Sequence, residues 1–571
     1  MSKSSRNSMT AKPNSQPSKR EKPVSISGAK LVVRHLEAQG VRHVFGVPGA
    51  KIDRVYDALI DSRIQTVVCR HEQNAAFIAQ GIGRLTGKAG VCLVTSGPGT
   101  TNLVTGFATA TSEGSPVVGL GGVVPRAVRL KQTHQSLDTA TIFRSVAKYS
   151  AEVESEEAIG ETLANAFRAA ESFRPGAAFV GLPSDVMQAA VPAAVLTPVA
   201  PVRLGPGPSE AIVEAARLLA KAKRPVLLLG MLASEPRAAL AIRALLQAAP
   251  LPVVTTFQAT GILTHELLPL FGGRVGLFHN QPADQLLDAA DLVLTIGYDP
   301  IEYDQDAWNK GHNRNIVHID AVPCEIAATY KPAIEIIGDI ADSISLMAAG
   351  LHSLSRTNPA IGSVIDEMAM IRKQGAKAIG MPVHPLRLVA DLQAVVADDV
   401  TLCLDMGSFH IWIARYLQVF RPRQMLISNG QQTLGVALPW AIAACLVRPG
   451  DKVISISGDG GFHFSSAELE TAVRLKCNFV HIVWRDGFYD MVRFQEELKY
   501  GRSSGVAFGP IDTVRFAESM GARGFAIERA EDFAPTLRKA MELSGPVLID
   551  VPVDYSHNKA LGQQLLPQAL I

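Results

Sequence analysis

KVISISGDGGFHFSSAELETAVRLKCNFVHIVWRDGFYD, residues 452–490, decides the reading of the fold. An apolar, β-branched run closes in Gly458-Asp459-Gly460-Gly461. A helix is expected from about Ser465-Ser466, with Leu469, Ala472, Val473 and Leu475 along one stripe, and a second apolar run, NFVHIVW, ends just before Asp486. Strand, glycine turn, helix and strand make one βα unit of a parallel sheet, and neighbouring parallel strands bring their carboxyl ends side by side.

The same alternation continues outward in both directions. Upstream of it lie TLCLDMG and QMLISNG, and downstream PVLIDVPVD. A middle series reads RPVLLLG, PLPVVTTF, DLVLTIG, NIVHIDA and AIEIIGD, and a first series reads HVFGVPG, IQTVVCR, AGVCLVTSG, SPVVGLGG and GAAFVGLP. The Pro-rich stretch Val191 to Pro208 separates the first two series, and a mixed segment from His352 to Pro385 separates the last two. The expected fold class is therefore α/β, with three open parallel-sheet domains over residues 28–195, 205–350 and 380–556. Residues 1–27, polar, Ser-rich and basic, are expected to be a disordered tail, and residues 557–571 a C-terminal tail.

Composition narrows the function. With Lys+Arg 55 against Asp+Glu 53 in 571 residues, no global positive field gathers nucleic acid or an anionic membrane. The longest apolar run, Val436 to Val447, is broken by Pro439 and is shorter than the roughly 20 residues of a spanning helix. Six cysteines without a C-x-x-C pair suit free thiols, and a cytoplasmic location is expected. GLGGVV at Gly119 lacks the third glycine of a dinucleotide fingerprint, GRLTGKAG lacks the first P-loop glycine, and His71, His134 and His410 have no metal-ligand spacing.

The turn at Asp459 carries a chemical conflict. Glycines at a strand-to-helix turn let the backbone approach a phosphate, yet Asp459 repels the same anion. A Mg²⁺ ion resolves it, because that ion takes one or two carboxylates together with phosphate oxygens. Asp486, at the end of the next strand, is the second carboxylate. Taken singly, each reads as a turn aspartate, but the pair with the glycines points to one metal.

GDG, 25 residues and then an acidic residue resembles the diphosphate-binding motif of thiamine diphosphate (ThDP) enzymes, whose more usual ending is Asn-Asn where this chain has Asp486-Gly487. GVPGAKID, SGPGTTN, KQTHQSLD, MGSFHIWIARY and NGQQTLGVALPWAI narrow the resemblance to the catabolic, flavin-independent acetolactate synthases. It implies a pyrimidine-binding, a central Rossmann-like and a diphosphate-binding domain, in chain order. It also implies condensation of two pyruvate molecules to 2-acetolactate and CO₂ through a ThDP-bound hydroxyethyl carbanion/enamine, with ThDP and Mg²⁺ as cofactors.

What the resemblance assigns to single residues follows from the same motifs. Asp459, Asp486 and the carbonyl of Phe488 hold the metal. Glu72, after the strand IQTVVCR, exchanges a proton with the cofactor's pyrimidine, the step that generates the base for the thiazolium C2 proton. Leu434 lies beneath the folded cofactor, with Met406, Gln432, Gly458, Gly460, Gly461, Tyr489 and Met491 around it. Apart from the resemblance, Gln495 on the helix after Asp490 and Lys51 in the loop GVPGAKID are expected at the substrate pocket with Gln132, and Lys51 and Gln132 are candidate catalytic residues beside Glu72. In the family the counterparts of Glu72 and Asp459 belong to different subunits, which implies a homodimer at least, and a dimer of dimers is typical. The central domain reads GYDPIEYDQDAWN where flavin-containing acetohydroxyacid synthases carry RFDDR, so FAD is not expected. The alternatives are a flavin-containing synthase or pyruvate oxidase, and a noncatalytic regulatory subunit of the same fold.

Overall fold

The structure, a computed structural model, describes residues 25–129, 131–311, 314–351 and 360–559. Three six-stranded sheets, each wholly parallel and open, form the body of the chain, as expected. The first runs, across its width, Gln65–Val68, His43–Val47, Gly90–Val94, Val117–Val123, Ala177–Pro183 and Tyr149–Glu152. The third has the same order: Met425–Ile427, Val400–Leu404, Lys452–Gly458, Phe479–Arg485, Val547–Pro552 and Arg523–Ala526. The central sheet runs Phe271–Val275, Val253–Thr256, Pro225–Leu229, Leu292–Ile296, Asn315–Asp320 and Ile334–Ile337, so its strand order reverses between Pro225–Leu229 and Leu292–Ile296. That reversal is where an open α/β sheet offers a ligand crevice.

The first and third sheets share one hydrophobic core. Phe45 of the first sheet with Phe77 and Phe107 of its helices, and Cys403, Leu426 and Leu548 of the third sheet, belong to the same buried cluster. The join is made by two helices, Glu72–Thr86 and Ala437–Val447. The second is the long apolar run of the sequence: Pro439 is accommodated in its first turn, where no helical N–H is lost, and Ala437 to Ala444 are all buried. Gly81 lets the helices touch, since a Cβ there would lie 2.7 Å from that of Ala443.

Four expectations are corrected. Ser25–Ser27, read as the end of the tail, form a strand antiparallel to Ala190–Pro192. His557 to Lys559, read as C-terminal tail, are held in place, with Asn558 buried between Trp412 and Asp490. The mixed segment before Pro385 contains the helix Ile361–Gly375, although its residues 352–359 lie outside the described residues. The helix expected near Ser465 begins at Asp459 itself and covers Asp459–Ser465, followed by Glu468–Arg474. Residues 1–24 and 560–571 of the expected tails lie outside the described residues. No described helix is long and apolar enough to cross a membrane.

Candidate active site

The strands Lys452–Gly458 and Phe479–Arg485 pair with Gly458 opposite Trp484, so Asp459 and Asp486 follow strand ends that lie side by side. One Asp459 oxygen accepts the N–H of Gly460 at 2.9 Å, and the other accepts those of Gly487 at 2.7 Å and Asp486 at 3.2 Å. Gly487 has φ +80°, a left-handed turn that a side chain would strain, which explains the glycine after Asp486. Beyond it Tyr489 N–H donates to Val506, and the helix Asp490–Tyr500 starts.

Burial pushes the Asp486 carboxyl up to about 8, with Asp490 and Asp459 next to it adding to the shift. The Asp459 carboxyl is also raised by burial, against the N–H donors that favour its charge. Two carboxylates held close in a half-dry cleft call for a cation. Among the described residues, no three His, Cys, Asp or Glu side chains are grouped to hold a metal alone. Asp459 and Asp486 could hold a cation between them, a pair of carboxylates that leaves coordination positions for ligand oxygens, as Mg²⁺ prefers.

One cavity of about 190 Å³ collects the residues expected in this domain. Asp459, Asp486 and Phe488 line it, with Gly458, Gly460, Gly461 and Tyr489 beside them, and Met406, Gln432, Leu434 and Met491 completing the wall. A Cβ on Gly460 would meet the Tyr489 ring at 2.6 Å, so the glycine is needed for the walls to close up. A larger cavity of about 610 Å³ shares Asp459, Asp486 and Phe488, so the segment from Asp486 to Asp490 is a partition between the two.

Sequence reasoning passed over the residues that hold this wall. Asp405, wholly buried and pushed up to about 7, accepts N–H groups of Met406, Gly435 and Ala437, which ties the Leu434 loop to the Met406 strand end. That loop follows Met425–Ile427, the second strand of its domain, and so lies in the crossover that leads to Lys452–Gly458. Asp490 accepts from Ser408 and Asn558, each at 2.6 Å. An acid directly after an apolar strand was the available signal for Asp405; none marked Asn558.

Glu72, Lys51 and Gln132 lie elsewhere. Glu72 opens the helix Glu72–Thr86, is buried, and accepts the Asn102 amide at 2.9 Å. The backbone of Lys51 packs against Gly122, where a Cβ would meet its carbonyl oxygen at 3.1 Å, and Gln132 is exposed in the loop beyond the same strand. All three sit at the carboxyl end of the first sheet, and none lines the 190 Å³ cavity of the same chain. Gln495 does not line it either; it lies one helical turn beyond Met491 and Val492, which do.

Family models agree with this division of labour. The thiamine pyrophosphate enzyme N-terminal TPP binding domain matches residues 26–142, the central domain residues 212–347, and the C-terminal TPP binding domain residues 405–551. The chain is 50% identical over 548 residues to the catabolic acetolactate synthase of Raoultella terrigena, covering 95% of this chain and 98% of that one. The chain belongs to the acetolactate synthase family. The acetolactate synthase of Bacillus subtilis (strain 168) is also 50% identical, over 95% of this chain and 96% of its own. The acetolactate synthase isozyme 1 large subunit of Escherichia coli (strain K12) is 32% identical over 93% and 94%. Within the family frame, the cavity falls in the C-terminal TPP binding domain and Glu72 in the N-terminal one, so both halves of a cofactor site are present.

Proposed function

We propose that this chain is an acetolactate synthase that joins two pyruvate molecules into 2-acetolactate with release of CO₂, using ThDP and Mg²⁺. The observation that carries the reading is the convergence of Asp459, Asp486, Phe488, Leu434 and Met406 on one cavity. Asp459, Asp486 and the Phe488 carbonyl would hold the metal, and Leu434 would support the cofactor's rings. ThDP, when bound, would supply the nucleophilic carbon and the electron sink that decarboxylation of a 2-oxo acid needs. Glu72 exchanges a proton at the pyrimidine nitrogen, with Asn102 fixing one of its oxygens. Lys51 pairs with the substrate carboxylate, and Gln132 and Gln495 border the same space.

Such a site is complete only with a second copy of the chain, because Glu72 and the cavity do not meet within one. The exposed apolar side chains Phe464, Tyr489 and Val492 beside the cavity are a surface for that copy to cover. A homodimer is the smallest competent unit, and a dimer of dimers is the proposed assembly. Free thiols at all six cysteines fit a cytoplasmic enzyme.

FAD is not required on this reading, and the central crevice supports that. Glu302 is buried at the strand reversal, where both its oxygens accept the N–H of Met231, at 3.0 and 2.8 Å. That N–H follows the strand Pro225–Leu229, the place a dinucleotide's phosphates would use, and the space left there is two small cavities of about 40 and 50 Å³. Incubation of the purified protein with pyruvate, ThDP and Mg²⁺ is expected to give acetolactate from a colourless protein. Acetaldehyde or acetate as the main product, or a flavin absorption spectrum, would overturn the proposal.

A further inference from the structure

The carboxylate of Glu468 comes from the third domain, yet it sits on the backbone that leads into Glu72. One of its oxygens accepts the N–H of Arg70 at 2.9 Å, the N–H of His71 at 3.2 Å and the side-chain amide of Asn74 at 3.2 Å. The other accepts the Thr471 hydroxyl at 2.6 Å. Glu468 has no solvent exposure, and burial raises its carboxyl against these four donors. A buried carboxylate of this kind is costly unless its donors are held in place, and the donors are equally costly without it.

The position of those donors gives the contact its meaning. Arg70 and His71 lie between the strand Gln65–Val68 and the helix that begins at Glu72. His71 is the N-cap of that helix, and its ring accepts the N–H of Gln73. The backbone before Glu72 is thus held by Glu468, and the Glu72 carboxylate by Asn102. Two further contacts from the same helix, Glu470 to Arg70 and Arg474 to the Val68 carbonyl, lie in partly exposed positions and add little. Resting on the reading of Glu72 above, we propose that Glu468 is a positioning residue for Glu72, a clamp from the third domain that fixes where the Glu72 carboxylate stands relative to the cofactor.

The test is hydrogen–deuterium exchange at C2 of bound ThDP, with cofactor retention measured in parallel, on the holoenzyme and on Glu468→Gln, Glu468→Asp, Glu468→Ala and Glu72→Gln. Glu468→Gln keeps an oxygen at the same reach and is expected to exchange within about threefold of the native protein. Glu468→Asp falls one methylene short; it and Glu468→Ala are expected to slow exchange by about 10–100-fold, the scale of a displaced catalytic group. Cofactor is retained, and kcat falls while the KM for pyruvate holds. If Glu468→Ala does not fold, the Asp and Gln variants decide. Native exchange in Glu468→Asp, or exchange lost only in proportion to cofactor lost, overturns the clamp. If Glu72→Gln also exchanges at the native rate, the reading of Glu72 fails first and the clamp with it, an outcome distinct from failure of Glu468 alone.

Discussion

Asp459 accepts the backbone N–H of Gly487 at 2.7 Å, so the two strand ends that carry Asp459 and Asp486 are fastened to each other by the protein itself. Asp459→Ala removes a proposed metal ligand and this tie, whereas Asp486→Ala removes a proposed ligand and only a long contact, 3.4 Å, to the Phe488 N–H. Both are expected to lose ThDP on gel filtration after metal chelation and rebuffering with Mg²⁺, with Asp459→Ala also losing thermal stability. Retention of the cofactor by either variant would refute the metal assignment.

Glu72→Gln is expected to fold, keep ThDP and lose about 10²–10⁴-fold in turnover, the usual contribution of a positioned acid–base group. Exchange at the cofactor C2 should fall in parallel. An unchanged rate would leave Glu72 as no more than the first residue of its helix.

Glu302 provides a pH dependence away from the active site. Burial raises its carboxyl to about 8, outweighing the hydroxyl of Thr256 and the N–H groups of Met231 and Asp299. A carboxyl that holds its proton more tightly in the folded chain contributes fully below the unfolded pKa and loses that contribution as pH rises toward 8. Relative to Glu302→Gln, the native protein should therefore lose up to about 1.4 kcal/mol of stability per pH unit between roughly pH 5 and 8. Parallel denaturation curves across that range would show that Glu302 is ionised throughout.

The contact between Gly81 and Ala443 predicts a stability effect opposite to helix propensity. Alanine at an exposed helical glycine stabilises by about 1 kcal/mol. Here the added methyl meets Ala443 at 2.7 Å and Trp440 at 3.1 Å, so Gly81→Ala should destabilise by about 1–3 kcal/mol in a denaturant titration. Ala443→Gly in the same chain should recover part of the loss, and a stabilised single variant would contradict the packing.

Lys51→Ala is expected to raise the KM for pyruvate, and Gln495→Ser to improve the use of bulkier 2-oxo acids relative to pyruvate. Steady-state kinetics with both substrates decide each. Unchanged constants would remove that side chain from the substrate space.

The sequence alone determined the three parallel sheets and the cofactor turn, because both are local. Strands buried on both faces, such as VVGLGGV and FVHIVWR, read as apolar runs, and Asp459 and Asp486 each follow such a run directly. Within the three six-stranded sheets, the strands it did not mark, Tyr149–Glu152, Phe271–Val275 and Arg523–Ala526, all lie at edges. Two are only half buried, and the third carries two glycines and an arginine, so their pairing depends on a neighbour already in place. Tertiary structure alone decided which side chains hold the site: Asp405 reaches across 30 residues to Gly435, Asn558 across 68 to Asp490, and Glu468 across 398 to Arg70. A buried carboxylate that accepts from a distant segment leaves no periodicity or spacing in the chain, because its partners are backbone N–H groups that almost every residue type provides, as for Asp405, or single polar side chains far away in sequence, as for Asp490.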